Sequence, residues 1–453
     1  MNRFACGFVL ALFSGFAVAH GFEERYDLPV PLSYVITGAC LVVVLTFVVA
    51  AVFMRAEALP ESVATDQSTT NPSSYFRVFV RTLSWLFALL IVVSATIGTT
   101  DPLMNLAPTF VWIIWWVGLG FAVVLFGNFW PWLDPWATTF DALDATAKRL
   151  GLAKGIALNW QWPKWMGAWP AVFLLLAWSW TEVVYPVASN PRKVGLMILA
   201  WTAISFIGML CFGKFRWQKH FDVFALYFAS LGRVSLRRVD TSPLLTSGHV
   251  AFVIAMLSTV LFDGLRGGGA WAVFENYLKR LAPSMMGVNG YFVGTIGLMM
   301  VWLSFLVLYV VVCAICARLL GTEKHSHKFS QLLAYTLIPI AAAYNVAHNF
   351  SNLVIQGQTF LQLLSDPLGR QWDLFGTAKL YPDIGIIDAK VTWFVAVFAI
   401  VIGHVISIWL SHRVALRYGQ APIRTSLATL PLTLLMIFYT AVSLLVIAEP
   451  MLT

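Results

Sequence analysis

The sequence predicts an all-α fold: a polytopic membrane helix bundle of about ten transmembrane helices after a cleaved signal peptide. Three observations carry this reading. Hydrophobic residues fill 59% of the 453 positions and charged residues only 11%, too few polar groups to cover a water-exposed surface. Apolar runs of about 20 residues, enough to cross about 30 Å of hydrocarbon, recur along the chain. Lys and Arg fall unevenly between alternate loops.

The elements follow in order. Residues 1–19 combine Met-Asn-Arg, an apolar run from Phe4 to Val18, and small residues at Ala17 and Ala19. That is the charged, hydrophobic and A-x-A sequence of a secretory signal peptide. Residues 20–453 then form a single polytopic membrane domain. Its spans read as 31–54, 76–98, 108–127, 167–187, 194–213, 245–265, 291–319, 330–356, 391–411 and 426–448. With His20 facing outward, the inner loops hold 19 of the 29 Lys and Arg and the outer loops 9. The positive-inside rule therefore places both the mature N-terminus and the C-terminus outside. The net charge of +8 is an orientation signal and implies no nucleic-acid partner.

Between spans, "KHFDVFALYFASLGRV" has an apolar face and basic flanks, which predicts a helix lying along the inner surface. The many tryptophans, as in "NFWPWLDPW" and "NWQWPKWMGAW", read as anchors at the membrane–water interface.

Ionisable side chains in hydrocarbon cost about 2.5–3.5 kcal/mol each and mark function. His348 lies in "IPIAAAYNVAHNFSNLVIQGQ" on a polar stripe with Tyr344, Asn345, Ser351 and Asn352. It sits about 12 Å below the outer boundary. His404, in "VFAIVIGHVISIWL", lies roughly 20 Å from the outer end of an otherwise apolar span, so any partner comes from another helix. Asp263 ends "STVLFDGLRGGG" at the outer edge of its span, and Glu182 in "WSWTEVVYP" is placed similarly but more weakly.

Cleavage after Ala19 would free an α-amine on the same residue as the His20 imidazole. Two such nitrogens can chelate a late first-row metal. Convergence of His20 with His348 and His404 would give three nitrogen ligands and an open position for a divalent transition metal, copper or zinc.

Several stretches together resemble a known family. "AHGFEERYDLPVPL", "FGNFWPWLDPW", "STVLFDGL", "IPIAAAYNVAHNFSNLVIQGQ", "LLSDPLGRQWDLFGT" and "GHVISIWLSHRVALR" are similar, in this order, to bacterial multi-spanning membrane proteins labelled fenitrothion hydrolase. The resemblance implies hydrolysis of an organophosphorus (aryl phosphotriester) substrate by a bacterial membrane protein; with the loop charges, this gives an outward-facing site in the inner membrane and both termini periplasmic. The positions it carries are His20, Asp263, His348, Asp366 and His404. From the chemistry, the histidines would hold the metal, and Asp263 and Asp366 would order the attacking water.

Expected partners are the lipid bilayer and a small-molecule substrate. The alternative function is a non-catalytic membrane subunit, or a metal-handling or transport protein, serving a periplasmic metalloprotein. The outer loop with Asp366, Asp373, Asp383 and Asp388 would then dock a second subunit. A transporter needs polar groups through the full depth of several helices, and the inner halves read as apolar apart from His404.

Overall fold

The computed structural model describes residues 29–54, 74–235, 238–239, 246–281, 291–321, 326–416 and 422–449. The leader and His20 lie outside the described residues.

Helix α1 spans Leu32–Phe53 and α2 Ser74–Ile97. Helix α3, Leu106–Phe126, is wound through Phe110–Gly118 with the wider i→i+5 spacing of a π-helix. Helices α4 (Trp130–Leu133), α5 (Pro135–Arg149), α6 (Trp169–Val183) and α7 (Pro191–Phe212) follow. Then come α8 (Lys214–His220), α9 (Val223–Gly232) and a small antiparallel pair, β1 (Val234–Ser235) with β2 (Arg238–Val239). Helix α10 is Ser247–Arg266, α11 Gly269–Leu281 and α12 Tyr291–Leu319. Helix α13 (Ser326–Ala334) continues through a 3-10 turn into α14 (Ile338–Gln356). The chain ends with α15 (Thr359–Ser365), α16 (Ala389–Leu416) and α17 (Pro422–Ala448).

Among the described residues, nine helices are long and apolar enough to cross a membrane. Their ends fall within a few residues of the apolar runs in the sequence, except that α16 continues to Leu416. The segment expected as a tenth span, 167–187, forms only the 15 residues of α6. That is about 22 Å of helix, short of the hydrocarbon thickness. Pro170 opens its first turn, and Pro186 follows its end.

Burial separates centre from periphery. In α10 and in the Phe329–Gln356 span, 78% of the apolar window is buried; in α1 and α2 it is 17%. The first pair forms the middle of the bundle and the second presents its side chains to lipid. Helix α14 packs along α16, and α10 touches α6, α12, α14 and α17. The α14–α16 crossing is close because Gly403 has no side chain. A Cβ there would stand 2.4 Å from Ala343 Cβ and 2.8 Å from the Pro339 carbonyl oxygen. Small residues at such crossings let backbones approach where lipid offers no hydrophobic drive for helix association.

Two further sequence expectations are corrected. Helix α9 does not lie on the surface. Val223, Phe224, Leu226, Tyr227, Phe228, Ser230 and Leu231 are all buried, so the helix is enclosed nearly all round. Its core-facing stripe has no polar opposite face, and a helix apolar on every side is an interior one. The tryptophans are also more than interface anchors. Trp112, Trp116, Trp130 and Trp217 are buried, and Trp115 packs edge-on against Trp130, Trp178, Phe224 and Phe228. This aromatic cluster joins α3, α4, α6 and α9.

Candidate functional site

Within this apolar frame, polar groups from five helices meet at one place. Helix α10 supplies Thr259 and Asp263, α6 Ser179 and Glu182, α3 Trp116, α9 Tyr227, and α14 Asn345 and Asn349. They line a cavity of about 20 Å³ available to water centres, room for about one water molecule.

The contacts form two chains. In one, Asp263 Oδ2 lies 2.9 Å from His348 Nε2. The Asp263 side chain is 35% exposed and His348 only 15%, so the carboxylate stands at the rim with the imidazole behind it. The His348 ring lies parallel to Tyr344, one turn earlier on α14, at 6.4 Å between centroids. In the other chain, Trp116 Nε1 donates to Glu182 Oε2 at 3.0 Å, and the Trp116 ring stacks on Tyr227 at 4.4 Å. Asn345 Nδ2 donates to the Tyr227 hydroxyl at 3.1 Å, and Asn349 Nδ2 to Asn345 Oδ1 at 2.8 Å.

Local sequence explains the placement. Asn345 and Asn349 are four apart, and Tyr344 and His348 likewise, so α14 presents two adjacent polar columns. The π-wound stretch of α3 contains Trp116; such windings are frequent at functional sites. Gly264 brings α10 close enough for Asp263 to reach His348. A Cβ at Gly264 would stand 2.8 Å from Val446 Cγ1, 3.1 Å from the Tyr344 hydroxyl and 3.6 Å from His348 Nδ1.

The expected site residues therefore divide. Asp263 and His348 are brought together. His404 is elsewhere: its Nδ1 pairs with the Ile400 carbonyl at 2.8 Å, and its neighbour Gly403 faces Pro339 and Ala343. Those residues lie on the order of 10 Å along the bundle axis from His348. Asp366 belongs to the loop after α15, where its two carboxylate oxygens accept the N–H groups of Arg370 and Gln371 at 2.8 and 2.7 Å. His20 lies outside the described residues. Among those described, no three His, Cys, Asp or Glu side chains are grouped to hold a metal ion.

The loop acids expected to dock a partner are occupied in building the loop itself. Asp373 accepts from Ser365 and Ala378, Asp383 from Gly385 N, and Asp388 from Val391 N. The Ala378 N–H is the main cause holding the Asp373 carboxyl below its ordinary range. On the same face, Ser94 donates to the Pro367 carbonyl and Thr99 N to the Leu368 carbonyl, clipping this loop to the end of α2.

Glu182, Trp116, Tyr227 and Asn349 complete the cavity, although the sequence assigned them little or no role. Asn349 was legible as the i+4 neighbour of Asn345 on a stripe already noted. Trp116 and Tyr227 carried no signal of their own within runs of aromatic residues.

No family model matches the chain, and no curated protein or solved structure matches it either.

Proposed function

We propose that the chain is a membrane-embedded hydrolase that attacks a small organophosphorus ester with water held at Asp263. The observation that carries this reading is the 2.9 Å contact between Asp263 and His348 at the rim of a water-sized polar cavity. A half-buried carboxylate oriented by an imidazole, beside room for water, is the arrangement a general base requires. The substrate class comes from the sequence resemblance, and the charge distribution of the loops supports a site open to the periplasmic side of the inner membrane.

In the proposed reaction, water gives a proton to the Asp263 carboxylate as its oxygen forms a bond to phosphorus. The phosphorus–oxygen bond to the aryl group breaks, and the aryl oxide leaves with the electron pair. His348 holds Asp263 Oδ2, which fixes the orientation of a carboxyl group that lines the cavity. The ligand set His20, His348 and His404 expected for a copper or zinc ion does not fit this geometry, because His348 Nε2 already holds Asp263 and His404 is set deeper.

The test is release of 4-nitrophenolate from diethyl 4-nitrophenyl phosphate by the chain alone, purified and placed in lipid nanodiscs. Activity is expected, with a fall of about 10²- to 10⁴-fold in His348→Gln and in Asp263→Asn. A pure wild-type chain with no activity on phosphotriesters would refute the hydrolase reading.

That outcome would favour a second reading, a membrane subunit that works with a partner. One observation supports it: Trp372, Leu374, Phe375, Tyr381 and Ile384 are exposed on the loop between α15 and α16.

A further inference from the structure

Helix α11 begins six residues after Asp263, at the end of the bundle that carries the cavity rim. Its 13 residues make about 20 Å of helix, too little to cross hydrocarbon. None of them is buried. Successive residues turn by about 100°, so Val273, Tyr277, Leu281, Phe274, Leu278 and Trp271 share one side, an arc of about 160°. Glu275, Lys279, Asn276 and Arg280 fill the other side.

The apolar side has two halves. Trp271 seats one of them on the bundle: its ring meets Phe262 of α10 edge-on at 5.3 Å. A Cβ at Gly297 of α12 would collide with the same ring. Phe274 backs Trp271 from one turn further along, at 5.3 Å. The start of the helix is held by Glu449, just past α17, whose carboxylate accepts the N–H groups of Gly269 and Ala270. The other half is open. Val273 is 71% exposed, Tyr277 59% and Leu281 63%, and residues four apart form a single column.

Three observations say what covers that column. The first is its level. Phe262 lies four residues, about 6 Å, from the end of α10 at Arg266. Gly297 lies six residues, about 9 Å, from the start of α12 at Tyr291. An amphipathic helix in a membrane interface buries its apolar face about 5–10 Å into the headgroup–acyl boundary. The second is continuity, because α12 beside it turns Phe292, Leu303, Val307 and Val310 outward along a spanning helix. The third is charge. Lys279 pairs with Glu275 at 2.8 Å, while Arg280 stands exposed at the border between the polar side and Val273. A basic residue there suits headgroup phosphates.

We propose that α11 is an interfacial helix lying in the plane of the membrane surface. Its Val273, Tyr277 and Leu281 column sits among the acyl chains, and Arg280 reaches the phosphates of phospholipid headgroups. The partner of this face is the bilayer itself. The proposal does not depend on hydrolysis, and its test reads no activity.

The photoreactive residue p-benzoylphenylalanine replaces Tyr277, Leu281 or Lys279, one at a time, in the full chain. Membranes of the expressing cells are irradiated, and adducts on the purified chain are read by mass spectrometry. Lys279 is the control, pointing about 160° away from Tyr277 around the helix. Phospholipid adducts are expected at 277 and 281 at about fivefold or more above 279. Protein adducts in place of lipid at 277 and 281, from a second copy or another partner, would overturn the proposal. So would lipid adducts that are absent there or equal at all three positions. Should a variant not insert, labelling of the unmodified chain in nanodiscs with a lipid-soluble diazirine decides. Residues 269–281 should take up label to within about threefold of residues 303–311, the lipid-facing middle of α12. Uptake about tenfold or more below that of α12 would overturn it.

Discussion

Asp222 shows how one side chain sets a pH dependence away from the candidate site. It caps α9, its carboxylate accepting from Phe224 N and Ala225 N at 3.1 and 3.0 Å. Burial, and secondarily the nearby Asp134 carboxyl, push its pKa up to about 8. An unfolded carboxyl titrates near 3.9, so between about pH 4 and pH 8 the folded state holds a proton that the unfolded state has lost. Stability from this group is present below the lower value and declines as pH rises toward the upper one. Asn caps a helix about as well as Asp and cannot ionise. Asp222→Asn should therefore melt higher than wild type at pH 8.5 and show a flatter melting profile between pH 5 and 8. A melting temperature for the variant below that of wild type at pH 8.5 would count against this assignment.

At the scale of elements, the α14–α16 crossing decides which polar groups share a level. Gly403→Ala places a methyl group 2.4 Å from Ala343 Cβ and 2.8 Å from the Pro339 carbonyl oxygen, so one helix must move. Overpacking of this kind costs about 1–3 kcal/mol. The melting temperature of Gly403→Ala in detergent should fall. Adding Ala343→Gly should restore part of the loss, since it removes the closer contact and leaves the carbonyl one. Full stability in the single variant would show that the helices do not approach as closely as described.

Elements also show what a sequence discloses and what it conceals. Spans such as Tyr291–Leu319 were legible because length and hydropathy alone define them. Helix α9 was misjudged since basic flanks resemble those of an interfacial helix, while its burial depends on aromatic rings supplied by α3, α4 and α6. Asp263 and His348 were each legible as expensive residues in hydrocarbon. Their pairing, and the separate position of His404, depend on where Gly264 and Gly403 let helices touch. Glu182 became meaningful only once the Trp116 N–H was found to face it.

For the molecule as a whole, an apolar bundle with a lipid-facing exterior encloses a polar cavity near the face that carries the 357–388 loop. The central claim is that Asp263 and His348 act there as a unit. The most direct test is a double-mutant cycle on phosphotriester hydrolysis in nanodiscs, comparing wild type, Asp263→Asn, His348→Gln and the double variant. Residues that work as one unit give strongly non-additive losses. Each single variant should lose about 10²-fold or more, and the double variant should be no slower than the slower single one. Full activity in either single variant, or losses that multiply in the double variant, would contradict the account.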